Sequence, residues 1–156
     1  VQLEVWGGGD GLSEVESLAV ELGINGFVKF HGQTPVDEMV KGLGGIHISV
    51  VPYEADDYMA IAYSTKAFEL ALMGIPMVLS DLPGIREQFS SSAARYFSPG
   101  SSDDLSDKIA DVLDNVSAAK DAACVARAEV ERFDWKIFGE EYVCLLRAVA
   151  SKRVAA

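Results

Sequence analysis

Apolar runs too short for helices and too poor in charge for exposed strands recur along this chain of 156 residues. "IHISVVPY" (46–53) contains no acid, lysine or arginine, and "MVLS" (77–80) ends its apolar run in a single serine. A strand with one wet face alternates polar and apolar residues, whereas a strand covered on both faces does not need to. Strands of this kind, in series with amphipathic segments, restrict the chain to a parallel sheet layered between helices. Strands are expected at 1–6, 27–31, 46–53, 77–80 and 95–97. Helices are expected at 12–22, from residue 35, at 64–73, at 84–89, after Ser101 or Ser102, and at 116–132 and 135–149. The whole chain, 1–156, reads as one doubly wound, Rossmann-like α/β domain.

Local signals set the expected helix ends. Ser13 with Glu16 fits a capping box, and Gly23 fits a helix stop. Thr34 before Pro35 reads as an N-cap followed by the first helical residue. Asp134 reads as the N-cap of the last helix. Trp135 and Phe138 stand at helical spacing and read as core. An alternative is that this last helix packs against a part of a longer protein and leaves apolar surface here.

Hydrophobic residues make up 49% of the chain, enough for a core, and the net charge is −11. Nucleic acid binding needs a basic face that displaces counterions, so this balance argues against a nucleic acid partner. Cys124 and Cys144 match no zinc spacing and read as buried free thiols in a reducing, cytoplasmic compartment. His31 and His47 lack companions at ligand spacing, so no metal is expected. No run reaches the roughly 20 apolar residues of a membrane span, and no signal peptide is present. The chain opens directly on a strand with no lead-in, which is expected of a piece of a longer parent.

In doubly wound sheets ligands lie beyond the carboxyl ends of the strands. That directs attention to the loops at 7–11, 31–34, 52–64 and 80–84. The glycines Gly7, Gly8 and Gly9 in "GGGDG" permit close backbone approach to a nucleotide, although a plain tight turn explains them equally. The segment "AYSTKAFELALMG" carries more chemistry. The first amides of its helix lack intrahelical partners and bear partial positive charge, which with Ser64 and Thr65 suits a diphosphate. Lys66 adds a full charge. Glu69 follows one turn later, about 5 Å along the axis, where a carboxylate suits the two hydroxyls of a ribose. The alternative is a surface ion pair between Lys66 and Glu69.

"STKAFELALMGIPMVLSDLPGIRE" resembles the donor-binding core of retaining glycosyltransferases of the GT-B fold, family 4 type. There, a K-x-F-E pattern and a G-x-P strand entry precede a D-x-P-G-x-x-E turn. "VQLEVWGGGD", "ISVVPY", "YFSPGSSDDLSDKIADVLD" and "RFDWKIFGEEYVCLL" follow in the order of that family, so the resemblance covers essentially the whole chain. It implies a C-terminal domain that holds a nucleoside diphosphate sugar, with the acceptor bound by a separate N-terminal domain. By position, Glu69 is implied as the ribose carboxylate, and Ser64, Thr65 and Lys66 as the diphosphate contacts. Gly7–Gly9 and the stretch from Val28 to Gly32 are implied as walls around the nucleoside. The chemistry implied is metal-independent, with the leaving diphosphate stabilised by fixed donors. Saccharide or lipid-linked saccharide acceptors are implied for the parent, with peripheral contact at the inner face of the membrane.

Three positions depart from the family pattern. Ile61 stands where an earlier glutamate is common, eight residues before Glu69. A G-R…K pair that holds the diphosphate would precede the first strand. His47 replaces an aspartate of the third strand. A non-catalytic nucleotide-sugar-binding module and a nucleotide-sugar epimerase of the same architecture are the competing readings, and this piece alone is expected to be inactive. Arg86 and Glu87 are secondary candidates for the sugar, with a local ion pair as the alternative. Asp56, Asp57 and Tyr58 border the expected pocket.

Overall fold

A computed structural model describes residues 1–154 and groups the chain into two compact units, Val1–Ile46 and His47–Ala156. The sequence reading has one domain over 1–156. The division falls after Leu43-Gly44-Gly45, where two residues without side chains contribute nothing to packing.

The first unit holds β1 (Leu3–Trp6), α1 (Leu12–Glu21), a 3₁₀ turn (Asn25–Phe27), β2 (Val28–Gly32) and α2 (Val36–Leu43). β1 and β2 pair in parallel, from Leu3 opposite Val28 to Trp6 opposite Gly32, with an irregularity between Val5 and Trp6. Trp6 lies flat on His31, with ring centroids 4.6 Å apart. Its indole also covers Gly42 of α2, where a Cβ would come within 3.0 Å of the ring. The indole thus ties strand to helix at an α2 position that leaves room for it.

Two expected caps are not formed. α1 begins at Leu12 with Gly11 as its cap, so Ser13 already lies inside the helix and no Ser13–Glu16 box closes. α2 is capped by Pro35 rather than Thr34, because Pro35 has an extended ψ of 142° and the helix starts one residue later. Gly23 does end α1, in the left-handed region at φ 67°, with the Ile24 amide reaching back to the Ala19 carbonyl.

The second unit is built on a parallel sheet of order β3 (Ser49–Val51), β4 (Met77–Ser80), β5 (Arg95–Phe97). Around it run α3 (Thr65–Leu72), α4 (Pro83–Gln88), α5 (Ser102–Asp114), α6 (Val116–Glu131) and α7 (Trp135–Val154). All four residues of central β4 are buried. Met77 and Leu79 enter a cluster with Ala67, Ala71, Ile85, Phe89 and Ala126, while Val78 points the other way, to Phe97, Val112 and Ala119. Period-two geometry thus feeds two cores at once, the physical reason for the charge-free pattern. Each large aliphatic side chain buried this way contributes about 1.5–3 kcal/mol.

α3 packs against α6 through alanines, Ala67 and Ala71 on one side and Ala126 on the other. Phe68 fills the space beside them between Phe89 and Phe133, at centroid distances of 5.8 and 5.2 Å. Ser101 caps α5 by accepting from the Asp104 amide. The Asp134 carboxylate accepts from the Lys136 amide at the start of α7, as expected of a cap.

On the last helix the core reading fails, and the open apolar surface of the alternative is what the structure shows. Trp135 is 68% exposed and Phe138 40%, and Tyr142, Leu145, Leu146 and Val149 are also open to solvent. Helical spacing marks a common face but not what covers it. Cys124 and Cys144 are free thiols, as expected, but exposed rather than buried. Among the described residues no helix is long and apolar enough to cross a membrane.

Candidate functional site

The loop between β3 and α3 forms a compact turn. The Asp56 carboxylate accepts from the Met59 amide, and the Ile61 and Ala62 amides return to the Tyr58 carbonyl. Ile61, 78% exposed, sits on this turn three residues ahead of the α3 cap. Ser64 then caps the helix. It is 2% exposed, and its hydroxyl accepts from the Ala67 amide at 3.2 Å and meets the Tyr53 hydroxyl at 3.3 Å.

That capping role changes what Ser64 offers to a ligand, since its oxygen is already engaged inside the fold. The Phe68 amide bonds to the Ser64 carbonyl. The amides of Thr65 and Lys66, by contrast, have no hydrogen-bond partner among the described residues. Two first-turn donors and a residue bearing a hydroxyl, Thr65, thus stand at the exposed, positive end of the helix dipole.

Lys66 and Glu69 are both exposed. Among the described residues no ion pair joins them, so the pairing alternative is not what the fold adopts. The Lys66 ammonium lies 5.4 Å from the centroid of the Tyr53 ring, within cation–π range. Tyr53 is itself fixed because its carbonyl accepts from the buried Ser80 hydroxyl at 2.7 Å. A strand residue, a loop aromatic and the helix start are thereby linked.

The DLPG turn is committed elsewhere. Arg86 binds Asp81 in a two-pronged pair, Nε to Oδ1 at 2.7 Å and Nη2 to Oδ2 at 2.8 Å, and stacks on Tyr96 at 3.5 Å. This pair is the local alternative weighed for Arg86. It holds the Asp81 carboxyl below its ordinary range, the arginine hydrogen bond being the main cause. Burial pushes the Tyr96 phenol up to about 12.

The glycines of the sequence reading lie in the first unit. Gly7, Gly9 and Gly32 have φ of 130°, 155° and 65°, which L side chains rarely adopt. The Gly7 amide donates to the Gly32 carbonyl at 2.9 Å, bringing the two loops together. Gly8 is exposed beside Gln33. Beneath this turn the Glu4 carboxylate bonds the His31 ring, which in turn carries Trp6.

Among the described residues of the second unit, open concavities of about 670 Å³ along α7 and about 540 Å³ between α4, β5 and α5 occur. Neither is lined by residues 64–69. In the second, Arg95 is already paired with Asp111, and Lys108 with Asp104. These groups make no demand for a ligand.

The family model described as glycosyl transferases group 1 matches residues 1–129 of the chain. The chain belongs to this family.

Solved structures share the α/β fold of this chain. Sucrose-phosphate synthase from Thermosynechococcus elongatus superimposes with TM-score 0.83 at 20% identity, over 97% of this chain and 39% of that one. HepE from Anabaena, solved in complex with UDP and glucose, does so with TM-score 0.83 at 19% identity, over 95% of this chain and 41% of that one. The catalytic domain of cholesterol-alpha-glucosyltransferase from Helicobacter pylori matches with TM-score 0.70 at 20% identity, over 85% and 79%. The chain spans about two fifths of the synthase and of HepE. No curated protein matches it by sequence.

Two residues that shape the start of α3 escaped the sequence reading. Gln88 is completely buried, and its Oε1 accepts from the Ser64 amide at 3.0 Å. Tyr53 braces both Ser64 and Lys66. The one signal for Gln88 is its spacing, four residues after Gly84 and three after Ile85 on an apolar helical face; glutamine at such a position ordinarily reads as solvent-facing.

Proposed function

We propose that the chain is the donor-binding part of a GT-B, family 4-type glycosyltransferase that moves a sugar from a nucleoside diphosphate sugar to a saccharide acceptor with retention of configuration. The observation that carries this reading is the exposed start of α3. There, among the described residues, the Thr65 and Lys66 amides stand unpartnered beside an ammonium outside any ion pair and one turn before an equally uncommitted carboxylate. The amides, the Thr65 hydroxyl and Lys66 receive the diphosphate, and Glu69 takes the ribose hydroxyls. As the sugar leaves, negative charge grows on the diphosphate, and donors already aimed at it stabilise that charge without reorganisation or a metal ion. Ser64 contributes by shaping the helix start. By itself, the first unit presents bare backbone at the positive-φ glycines Gly7, Gly9 and Gly32.

Support comes from HepE, solved with UDP and with UDP-glucose, and from TarM of S. aureus, a mutant of which was solved with UDP, fondaparinux and alpha-GlcNAc-glycerol. Acceptor binding and transfer belong to the longer protein, including any lipid-linked acceptor and contact with the inner face of the membrane from the cytoplasm. A non-catalytic nucleotide-sugar binder is the second reading, favoured by Ile61 in place of the earlier glutamate.

The deciding experiment offers the full-length protein a panel of nucleoside diphosphate sugars with saccharide acceptors and determines the anomeric configuration of the product by NMR. A retained-configuration glycoside supports the proposal. Tight donor binding without transfer establishes the binder reading instead, and absence of binding removes both.

A further inference from the structure

Gln88 and Gly84 of α4 grip the segment that leads into α3 from two directions. The Gln88 carboxamide is completely buried and uses both ends, with Oε1 accepting from the Ser64 amide at 3.0 Å and Nε2 donating to the Gly84 carbonyl at 2.9 Å. The Gly84 amide donates to the Ala60 carbonyl at 2.9 Å. A Cβ at Gly84 would lie 2.7 Å from the Ala62 carbonyl oxygen and 3.2 Å from that of Ala60, so the turn rests directly on the glycine. The Arg132 guanidinium contacts the Glu87 and Gln88 carbonyls at 3.3 Å and anchors the far end of α4.

A buried carboxamide is costly unless bonded, and here both ends are bonded; an apolar side chain in its place would leave the Ser64 amide without its acceptor. What it provides here is direction. The Ser64 amide is the last donor before the two unpartnered amides of Thr65 and Lys66, and Gln88 fixes the Tyr63–Ser64 peptide plane that immediately precedes theirs. Gly84 fixes the height of the turn before it.

We infer that Gln88, together with Gly84, is a positioning residue of the diphosphate site: it touches no ligand and orients the Thr65 and Lys66 amides through Ser64. This rests on the donor reading of α3 given above. A residue serving only the core would affect every ligand equally, whereas a positioning residue affects the diphosphate selectively.

The test uses the full-length protein, with UDP, GDP and ADP and their parent nucleosides as probes, in NMR titrations of wild type, Gln88→Met, Gln88→Glu, Gly84→Ala and Glu69→Ala. Gln88→Met is expected to lose about tenfold in affinity for the preferred diphosphate, the equivalent of one misdirected charged hydrogen bond, with under about twofold change for the nucleoside. Gln88→Glu is expected to recover diphosphate affinity as pH falls, because only the protonated carboxyl can both donate to Gly84 and accept from Ser64. Gly84→Ala should reproduce the selective loss and serves if the Gln88 variants do not fold. Equal losses for diphosphate and nucleoside, or no loss, would overturn the inference. If Glu69→Ala weakens binding while Gln88→Met and Gly84→Ala do not, the donor reading stands and the positioning role falls. If wild type binds none of the three diphosphates, the donor reading falls first and takes the inference with it.

Discussion

Lys66 and Glu69 stand one turn apart on α3, both in solvent, and among the described residues neither closes an ion pair with the other. Opposite charges at this spacing ordinarily gain a few tenths of a kcal/mol by meeting. Here the ammonium lies toward the Tyr53 ring instead. Both groups are therefore available to a third party, and they can be tested separately.

Glu69→Ala in the full-length protein should weaken nucleoside diphosphate sugar binding by about 1–3 kcal/mol, the range for losing hydrogen bonds to a charged group. Stability should barely move, because the carboxylate is exposed and makes no ion pair among the described residues. Calorimetric titration reads the first quantity and chemical denaturation the second. Unchanged affinity would remove the ribose role.

Lys66→Met should reduce donor affinity more at low salt than at high salt, since mobile ions already screen an exposed charge. A methionine keeps an unbranched apolar chain but removes the charge that stands over the Tyr53 ring. A loss that stays constant from low to high salt would mean that packing on Tyr53, and not charge, is the contribution.

The Asp81–Arg86 pair should shape the acid limb of stability. Asp81 has its folded-state pKa depressed below the ordinary 3.8, chiefly by the Arg86 hydrogen bond. A depressed carboxyl contributes stability that is present above its unfolded value and lost as pH falls through the folded value. Wild type should therefore lose a small increment below pH 3.8 that Asp81→Asn lacks throughout; both partners are more than a third exposed, so the increment is screened. Denaturation midpoints across acid pH check this. Parallel curves for the two proteins would dismiss the pair as a stabilising element.

Tyr96 governs the opposite limb. Its phenol is raised from 10.0 to about 12 by burial, and its hydroxyl donates to the Phe89 and Ser90 carbonyls. A raised group contributes stability that is full below the unfolded value and lost as pH climbs to the folded one. Wild type should weaken between pH 10.0 and about 12, with tyrosinate absorbance appearing late for this residue. Tyr96→Phe should cost about 1 kcal/mol at neutral pH through the lost hydrogen bond and flatten the alkaline fall. An alkaline slope unchanged in that variant would assign the effect to another group.

Short apolar runs and helical spacing were enough to place β4, β5 and α3 within a residue of where they lie, because strand and helix periodicity are local consequences of which faces are covered. The same signals failed at α7. Trp135 and Phe138 share a helical face, but only the surroundings decide whether a face is buried, and here they are open to solvent. The caps at Ser13 and Thr34 failed for a related reason, since a one-residue shift of a helix start turns a capping residue into an ordinary one.

By itself, the amino-acid order determined the alternation of strand and helix and put Ser64, Thr65, Lys66 and Glu69 at one helix start, since all of these follow from spacings of a few residues. Only tertiary structure decided which of those groups are free. Ser64 is consumed by Ala67, Tyr53 and a glutamine 24 residues away, while Lys66 and Glu69 enter no ion pair among the described residues. Hydrogen bonds between distant segments leave no period in the sequence, so the availability of a side chain is settled by the packing around it.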